Sequence, residues 1–171
     1  RRLLAGDRLP LGPPGTPPPP RDAPVPRDYE ERGPIRIAVG PQGHLFPESA
    51  FEAMVDEPFR VLPASDRMGT RLSGARLTIR ATASLPSEGT CLGAIQVPDS
   101  GYPIVVLRDG PTVGGYPKIG AVITADLARF AQVPLGGAVE FRWVSQAEAR
   151  AAARERDRQF RALVATLTPA G

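Results

Sequence analysis

From Gly33 onward the apolar residues fall into short runs separated by turn signals. Ile35–Val39 precedes Gly40-Pro41-Gln42-Gly43, and 59–62 forms a second run. In 75–81, Leu77, Ile79 and Ala81 alternate with Thr78 and Arg80. The run 91–97 leads into the turn cluster Pro98-Asp99-Ser100-Gly101. The run 102–108 follows, and its Ile104, Val105, Val106 and Leu107 read as buried on both faces. Runs at 119–123 and 139–144 complete the series, the last with Val139, Phe141 and Trp143 set against Glu140 and Arg142. A period of two over short, regularly spaced segments predicts strands, and this many of them predict a closed or nearly closed β-barrel. Three stretches read at the helical period instead. Pro47 is placed as the first helical residue, with Phe51, Met54 and Val55 on one face. Thr124 caps a short helix carrying Leu127, Phe130 and Ala131, which Pro134 stops. Ser145 and Glu148 form a capping box for a helix running to about Leu167, with Phe160, Leu163, Val164 and Leu167 at i, i+3, i+4, i+7. Its first half, 149–158, is nearly all alanine and charge, and is expected to face solvent or a partner.

Proline sets the organisation. Ten of 21 prolines lie in 1–34, including all of 17–20, where neither helix nor central strand can form. The chain divides into a proline-rich linker at 1–34, a barrel at 35–145, and a C-terminal helix and tail at 146–171. A PxxP ligand is the alternative to a tether for the first part. Because the chain starts at Arg1 with a leucine-rich lead into the linker, it reads as the tail of something longer.

Composition narrows the function. The chain has 171 residues, 21 Lys+Arg, 18 Asp+Glu, one His and one Cys. Residues 35–144 carry ten basic and ten acidic side chains, so the body is neutral despite a basic chain. No basic stripe with interleaved aromatics occurs, which argues against nucleic acid as a partner. Cys91 has no disulfide partner, and with His44 alone there is no zinc-binding set, so no metal is expected. No membrane span or secretory leader is read, and a cytoplasmic location is expected. Cys91 itself reads as a small core residue in a strand.

The densest chemistry lies in Arg108-Asp109-Gly110-Pro111-Thr112-Val113-Gly114-Gly115-Tyr116-Pro117-Lys118-Ile119. It offers an acid, a hydroxyl, two glycines that let backbone approach a ligand, a phenol and the chain's single lysine. Tyr116 and Lys118 are two apart and share a side if extended. The same stretch also reads as a long turn whose glycines supply positive φ, with Lys118 solvated. Asp109, Tyr116 and Lys118 are the candidate catalytic residues, with Thr112, Gly114 and Gly115 binding substrate. Around Ser65-Asp66-Arg67-Met68-Gly69-Thr70-Arg71, Arg67 either forks an anionic substrate or pairs with Asp66. Gln96, inside an apolar strand, is satisfied by backbone or presented to a ligand. No G-x-S-x-G elbow occurs.

These segments occur in a fixed order: Ser65 to Gly69, Leu72-Ser73-Gly74, Ser87-Glu88-Gly89, Gly93-Ala94-Ile95-Gln96-Val97-Pro98, Gly101-x-Pro103-Ile104-Val105, Asp109, Gly114 to Ile119, Ala125-Asp126-Leu127, and Ala131-Gln132. The string resembles the allophanate hydrolase subunit 2 family, which includes a 5-oxoprolinase subunit, the Kip antagonist protein and the carboxyltransferase region of urea carboxylase. The resemblance implies a cyclophilin-like β-barrel and a missing N-terminal half. It implies work beside a sister subunit of the allophanate hydrolase subunit 1 type and a lactam-utilisation subunit. The implied reaction is opening of 5-oxoproline to glutamate, with ATP used by the complex. The alternatives it leaves are a biotin-dependent carboxyltransferase acting on urea-like substrates, and an interaction protein that binds a kinase-inhibitor-like sister. The shared substrate feature is a small amide. Biotin is not expected to be attached to this chain, because Lys118 stands between Pro117 and Ile119, not at a methionine-flanked hairpin tip.

Overall fold

A computed structural model of the protein describes residues 3–13, 15, 33–80 and 85–167. The proline run 17–20, most of the expected linker, Ala81, the side chain of Leu167 and the tail beyond it lie outside the described residues. Ten strands are present in this part: β1 (Ile35–Val39), β2 (Phe59–Val61), β3 (Gly69–Ser73), β4 (Glu88–Gly89), β5 (Ala94–Gln96), β6 (Ile104–Val106), β7 (Val113–Gly114), β8 (Lys118–Val122), β9 (Ala138–Val139) and β10 (Phe141–Trp143). The helices are α1 (Glu48–Asp56), α2 (Leu127–Ala131) and α3 (Gln146–Leu167).

Eight strands form one sheet in the order β10-β1-β8-β5-β6-β3-β2-β9. Its two edge strands are separated in sequence only by Glu140. β9 pairs antiparallel with β2 and β10 pairs parallel with β1, so one stretch of chain serves both edges and nearly closes the sheet. Closure removes the exposed edges that an open sheet would present. The protein is therefore mainly β, barrel-like, with short helices and a long C-terminal helix. Inward residues of the alternating runs, among them Ile37, Phe59, Leu72, Ile95, Val105 and Ile119, fill the interior. Met54 of α1 and Phe130 of α2 join the same cluster.

Several expectations change. The alternation at 75–80 survives as burial, with Leu77 inside and Arg80 outside, but no ladder forms there. Its amides go elsewhere: Leu77 N–H donates to the Gly101 carbonyl and Arg80 N–H to the Leu45 carbonyl. The strand in this region is β3, where Thr70 and Leu72 point in and Arg71 out. Cys91 is exposed and precedes β5. Pro47 stands just before α1 with extended ψ, and Val55 is exposed. Asp126, not Thr124, occupies the cap position of α2. Its carboxylate, fully buried, accepts from the Arg36 backbone N–H at 2.8 Å and from the Arg36 guanidinium, tying α2 to β1. Burial alone would raise this carboxyl, but the Arg36 hydrogen bonds and charge outweigh it and hold it below its ordinary value.

The capping box at the start of α3 forms in full. The Glu148 carboxylate accepts from Ser145 N–H, and Ser145 Oγ accepts from Glu148 N–H. No residue of 149–158 in α3 is buried: six are exposed, in line with the expectation, and Ala149, Ala152, Ala153 and Arg156 are half-buried. α3 touches β1, and Arg156 ties the helix to the segment before α2 by donating to the Thr124 and Ala125 carbonyls. In the apolar half, Phe160 is 63% exposed.

Candidate functional site

Three local devices build one polar cluster at the barrel wall. The first is a bulge. β5 pairs with β8 as Ala94↔Ala121 and Ile95↔Gly120, then shifts to Gln96↔Lys118, skipping Ile119. The extra residue brings the two polar side chains side by side in an otherwise apolar sheet. The second is the turn after β1. A Cβ at Gly40 would lie 2.5 Å from the Lys118 carbonyl oxygen, so only glycine lets this turn press on β8. It thereby places Gln42, whose Oε1 accepts the Lys118 backbone N–H at 3.2 Å. The third is a two-stranded ribbon of β4 and β7, in register Glu88↔Gly114 and Gly89↔Val113, lying over the end of β5.

Lys118 is 4% exposed, and its ammonium is 2.8 Å from Glu88 Oε1. The Lys118 Nζ also donates to the Tyr116 carbonyl at 3.3 Å. Gln42 Nε2 donates to the same Glu88 oxygen. The Lys118 hydrogen bond first, then that from Gln42, holds the Glu88 carboxyl below its ordinary value of 4.5. Gln96 is 5% exposed, and its Nε2 has no hydrogen-bond partner among the described residues; buried Thr90 Oγ1 has none either. Both atoms lie directly under Gly114, where a Cβ would be 2.7 Å from Gln96 Nε2 and 3.2 Å from Thr90 Oγ1. A buried donor left unpaired costs about 1–3 kcal/mol, so two together mark a place where a ligand acceptor is favoured.

The candidate residues thus divide. Gln96, Gly114 and Lys118 come together, and Gly115 adjoins them beside the Leu85 carbonyl. Tyr116 contributes its carbonyl; its ring is half exposed and does not share the buried side of Lys118. Thr112 is exposed, and its carbonyl accepts the Thr90 N–H at 2.8 Å. Neither Gly114 nor Gly115 has positive φ and Lys118 is not solvated, so the stretch is not a turn held merely by its glycines. Asp109 lies elsewhere. Gln96 pairs with Ile104 at one end of β6, whereas Asp109 follows its other end. There it pairs with Arg67, Nε to Oδ2 at 3.2 Å, both side chains well exposed. Asp66 instead accepts the Met68 and Gly69 backbone N–H groups. Arg67 and Asp109 border an open groove of about 630 Å³ with Val61, Leu92, Leu127 and Leu135 among its apolar walls. Gln42, Thr90 and Glu88 carried no assigned role in the sequence reading. Only the position of Glu88 in the ordered string signalled it. Among the described residues no group of three or more His, Cys, Asp and Glu side chains could hold a metal ion.

The sequence model of the carboxyltransferase domain, subdomains A and B, matches residues 1–143. The chain belongs to this family. Within the carboxyltransferase-domain family, a 5-oxoprolinase subunit of Escherichia coli is 36% identical over 166 residues, covering 95% of this chain and 52% of that protein. The protein of the same description from Haemophilus influenzae is 47% identical over 85 residues, covering 50% of this chain and 28% of its own length. Among solved structures, the Kluyveromyces lactis urea carboxylase overlays 75% of this chain and 12% of its own at 25% identity, with a TM-score of 0.67. The chain spans about half the length of the first of these curated relatives. Among the described residues, no helix is long and apolar enough to cross a membrane.

Proposed function

We propose that the chain is part of a 5-oxoprolinase-type subunit that, with its sister subunits, opens 5-oxoproline to glutamate at the expense of ATP. The observation that carries this reading is the buried pairing of Lys118 with an unpartnered Gln96 amide. A small lactam acid presents a carboxylate and a ring carbonyl, both acceptors. This cluster supplies donors for each: Lys118 Nζ and Gln42 Nε2 for one, Gln96 Nε2 and Thr90 Oγ1 for the other. Donors fixed in a dry environment also stabilise negative charge that grows on a carbonyl oxygen as it is attacked. ATP acts at the level of the complex, and the relatives named as subunits support the presence of sister chains.

A carboxyltransferase reaction on a urea-like amide is the second reading, favoured by the likeness to urea carboxylase. In that case carboxybiotin arrives on another protein. The one lysine of this chain is buried in an ion pair with Glu88, a poor place for a covalent carrier. The deciding experiment assays the full-length protein with its sister subunits. Glutamate release from 5-oxoproline that requires ATP and this subunit is expected. An ATP-dependent reaction with urea and bicarbonate, and none with 5-oxoproline, refutes the first reading in favour of the second.

A further inference from the structure

Glu88 is out of keeping with its neighbours. It lies on a two-residue strand at the surface, with its side chain 44% exposed, yet its carboxylate reaches inward to an ammonium that is almost fully buried. The ribbon also closes over Gln96 Nε2 and turns its own Thr90 Oγ1 inward beside it, and both atoms are left without partners among the described residues. The closed arrangement therefore combines one favourable contact, Glu88 on Lys118 and Gln42, with the cost of two buried polar atoms left unsatisfied. A ligand that replaces the first contact while relieving the second shifts this balance.

We propose that Lys118 Nζ and Gln42 Nε2 form a carboxylate subsite, that Glu88 occupies it as an internal occupant, and that the carboxylate of a small ligand displaces Glu88 and lifts the β4–β7 ribbon. Lifting the ribbon uncovers Gln96 Nε2 on the barrel wall toward the same ligand, so the subsite selects small molecules that carry a carboxylate and a nearby carbonyl acceptor. This assignment rests on the reading of the cluster as the substrate site. No bond is made or broken in the exchange. One carboxylate replaces another on the same two donors, and the charge of the site is unchanged.

The chain has a single lysine, so an isotope label on lysine side chains reports on this position alone. Acetate and, separately, 5-oxoproline are titrated into the full chain at constant ionic strength, and the Lys118 side-chain resonance is followed. An internal occupant present nine-tenths of the time weakens apparent affinity about tenfold, because only the open fraction binds. Glu88→Gln, which keeps the shape and removes the charge, is therefore expected to lower the acetate midpoint about tenfold. Glu88→Asp, one methylene shorter, is expected to fall between the two proteins. An acetate midpoint that is equal or higher in both variants overturns the proposal, as does the absence of a saturable shift in all three proteins. If acetate behaves as expected while 5-oxoproline gives no shift, the subsite stands and the 5-oxoprolinase reading fails.

Discussion

Replacing Gly114 by alanine tests how tightly the ribbon closes on the barrel. The new methyl carbon would sit 2.7 Å from Gln96 Nε2, roughly 0.7 Å inside the distance at which ordinary contact begins. Gln96 cannot retreat easily, since its strand is held on both sides by β6 and β8 and its side chain is buried. The ribbon, only two residues per strand and surface-exposed, is what gives way. Gly114 faces Glu88 in the ribbon register, so the displacement is passed directly to the 2.8 Å contact with Lys118. Overpacking of this kind costs about 1–3 kcal/mol, and the low end is expected because the element that moves is on the surface. For a chain of this size, 1 kcal/mol lowers the melting midpoint by roughly 2–4 °C. Gly115→Ala supplies the contrast: its methyl would meet the Leu85 carbonyl at 3.4 Å, an ordinary contact, and should be nearly neutral. Urea unfolding measures the stability of both variants. Reductive methylation of Lys118, located by peptide mass, measures whether the ribbon has lifted and should be faster in Gly114→Ala only. Equal stability and equal lysine reactivity in the two variants would refute the close-approach argument.

Two further outcomes concern the scaffold. Asp126→Ala removes the acceptor shared by the Arg36 backbone and guanidinium, and should cost about 3–5 kcal/mol in urea unfolding, with Asp126→Asn costing less. Because the folded-state value of Asp126 lies below its ordinary 3.8, its contribution is fully present above that value and fades as pH falls through the folded-state value; Asp126→Asn should flatten that part of the stability curve. Ser145→Ala, which removes the side-chain acceptor for the Glu148 N–H, should cost about 1 kcal/mol and speed hydrogen exchange in the first turn of α3, leaving exchange in β5 unchanged.

Legibility in the sequence followed period and locality. β1 and the β9–β10 stretch were visible because one buried face imposes alternation on consecutive residues, and β8, buried at four of five positions, was visible as a short apolar run. The capping box of α3 was visible because both partners lie within four residues. β3 was obscured by Gly69, Arg71 and Ser73, whose types suggest a loop, while its strand character comes from pairing with β2 and β6. The 75–80 segment shows the converse. Its alternation is real, yet its amides are satisfied by Gly101 and Leu45, so burial and ladder formation part company. At the site, Gln96 and Lys118 could be suspected one at a time, but they stand 22 positions apart and their adjacency depends on a one-residue bulge between strands. Glu88 and Gln42 become partners of Lys118 only through tertiary placement, and no local pattern encodes that.

The separation of Asp109 from Lys118 has a thermodynamic consequence. Asp109 follows one end of β6 in an exposed pair with Arg67, whereas Lys118 lies on β8 under the ribbon, opposite the Gln96 that pairs with the other end of β6, and the two share no hydrogen-bond partner among the described residues. An exposed pair such as Arg67–Asp109 is worth about 0–1 kcal/mol, so Asp109→Asn should leave folding almost untouched. Lys118→Met should disturb the cluster locally, because Glu88, already partly exposed, can be rehydrated at the surface. Residues without shared partners and well separated act additively to within about 0.5 kcal/mol. In the assembled protein, the effects of Asp109→Asn and Lys118→Met on kcat/KM should therefore add in the double variant to that tolerance, whatever the size of each. The measurement is a double-mutant cycle, with urea unfolding of all four proteins as the control for folding. A coupling above about 1 kcal/mol would mean that one ligand touches both residues in the transition state. That result would make the Asp109 groove and the Lys118 cluster two ends of a single site, and would overturn their assignment as independent places.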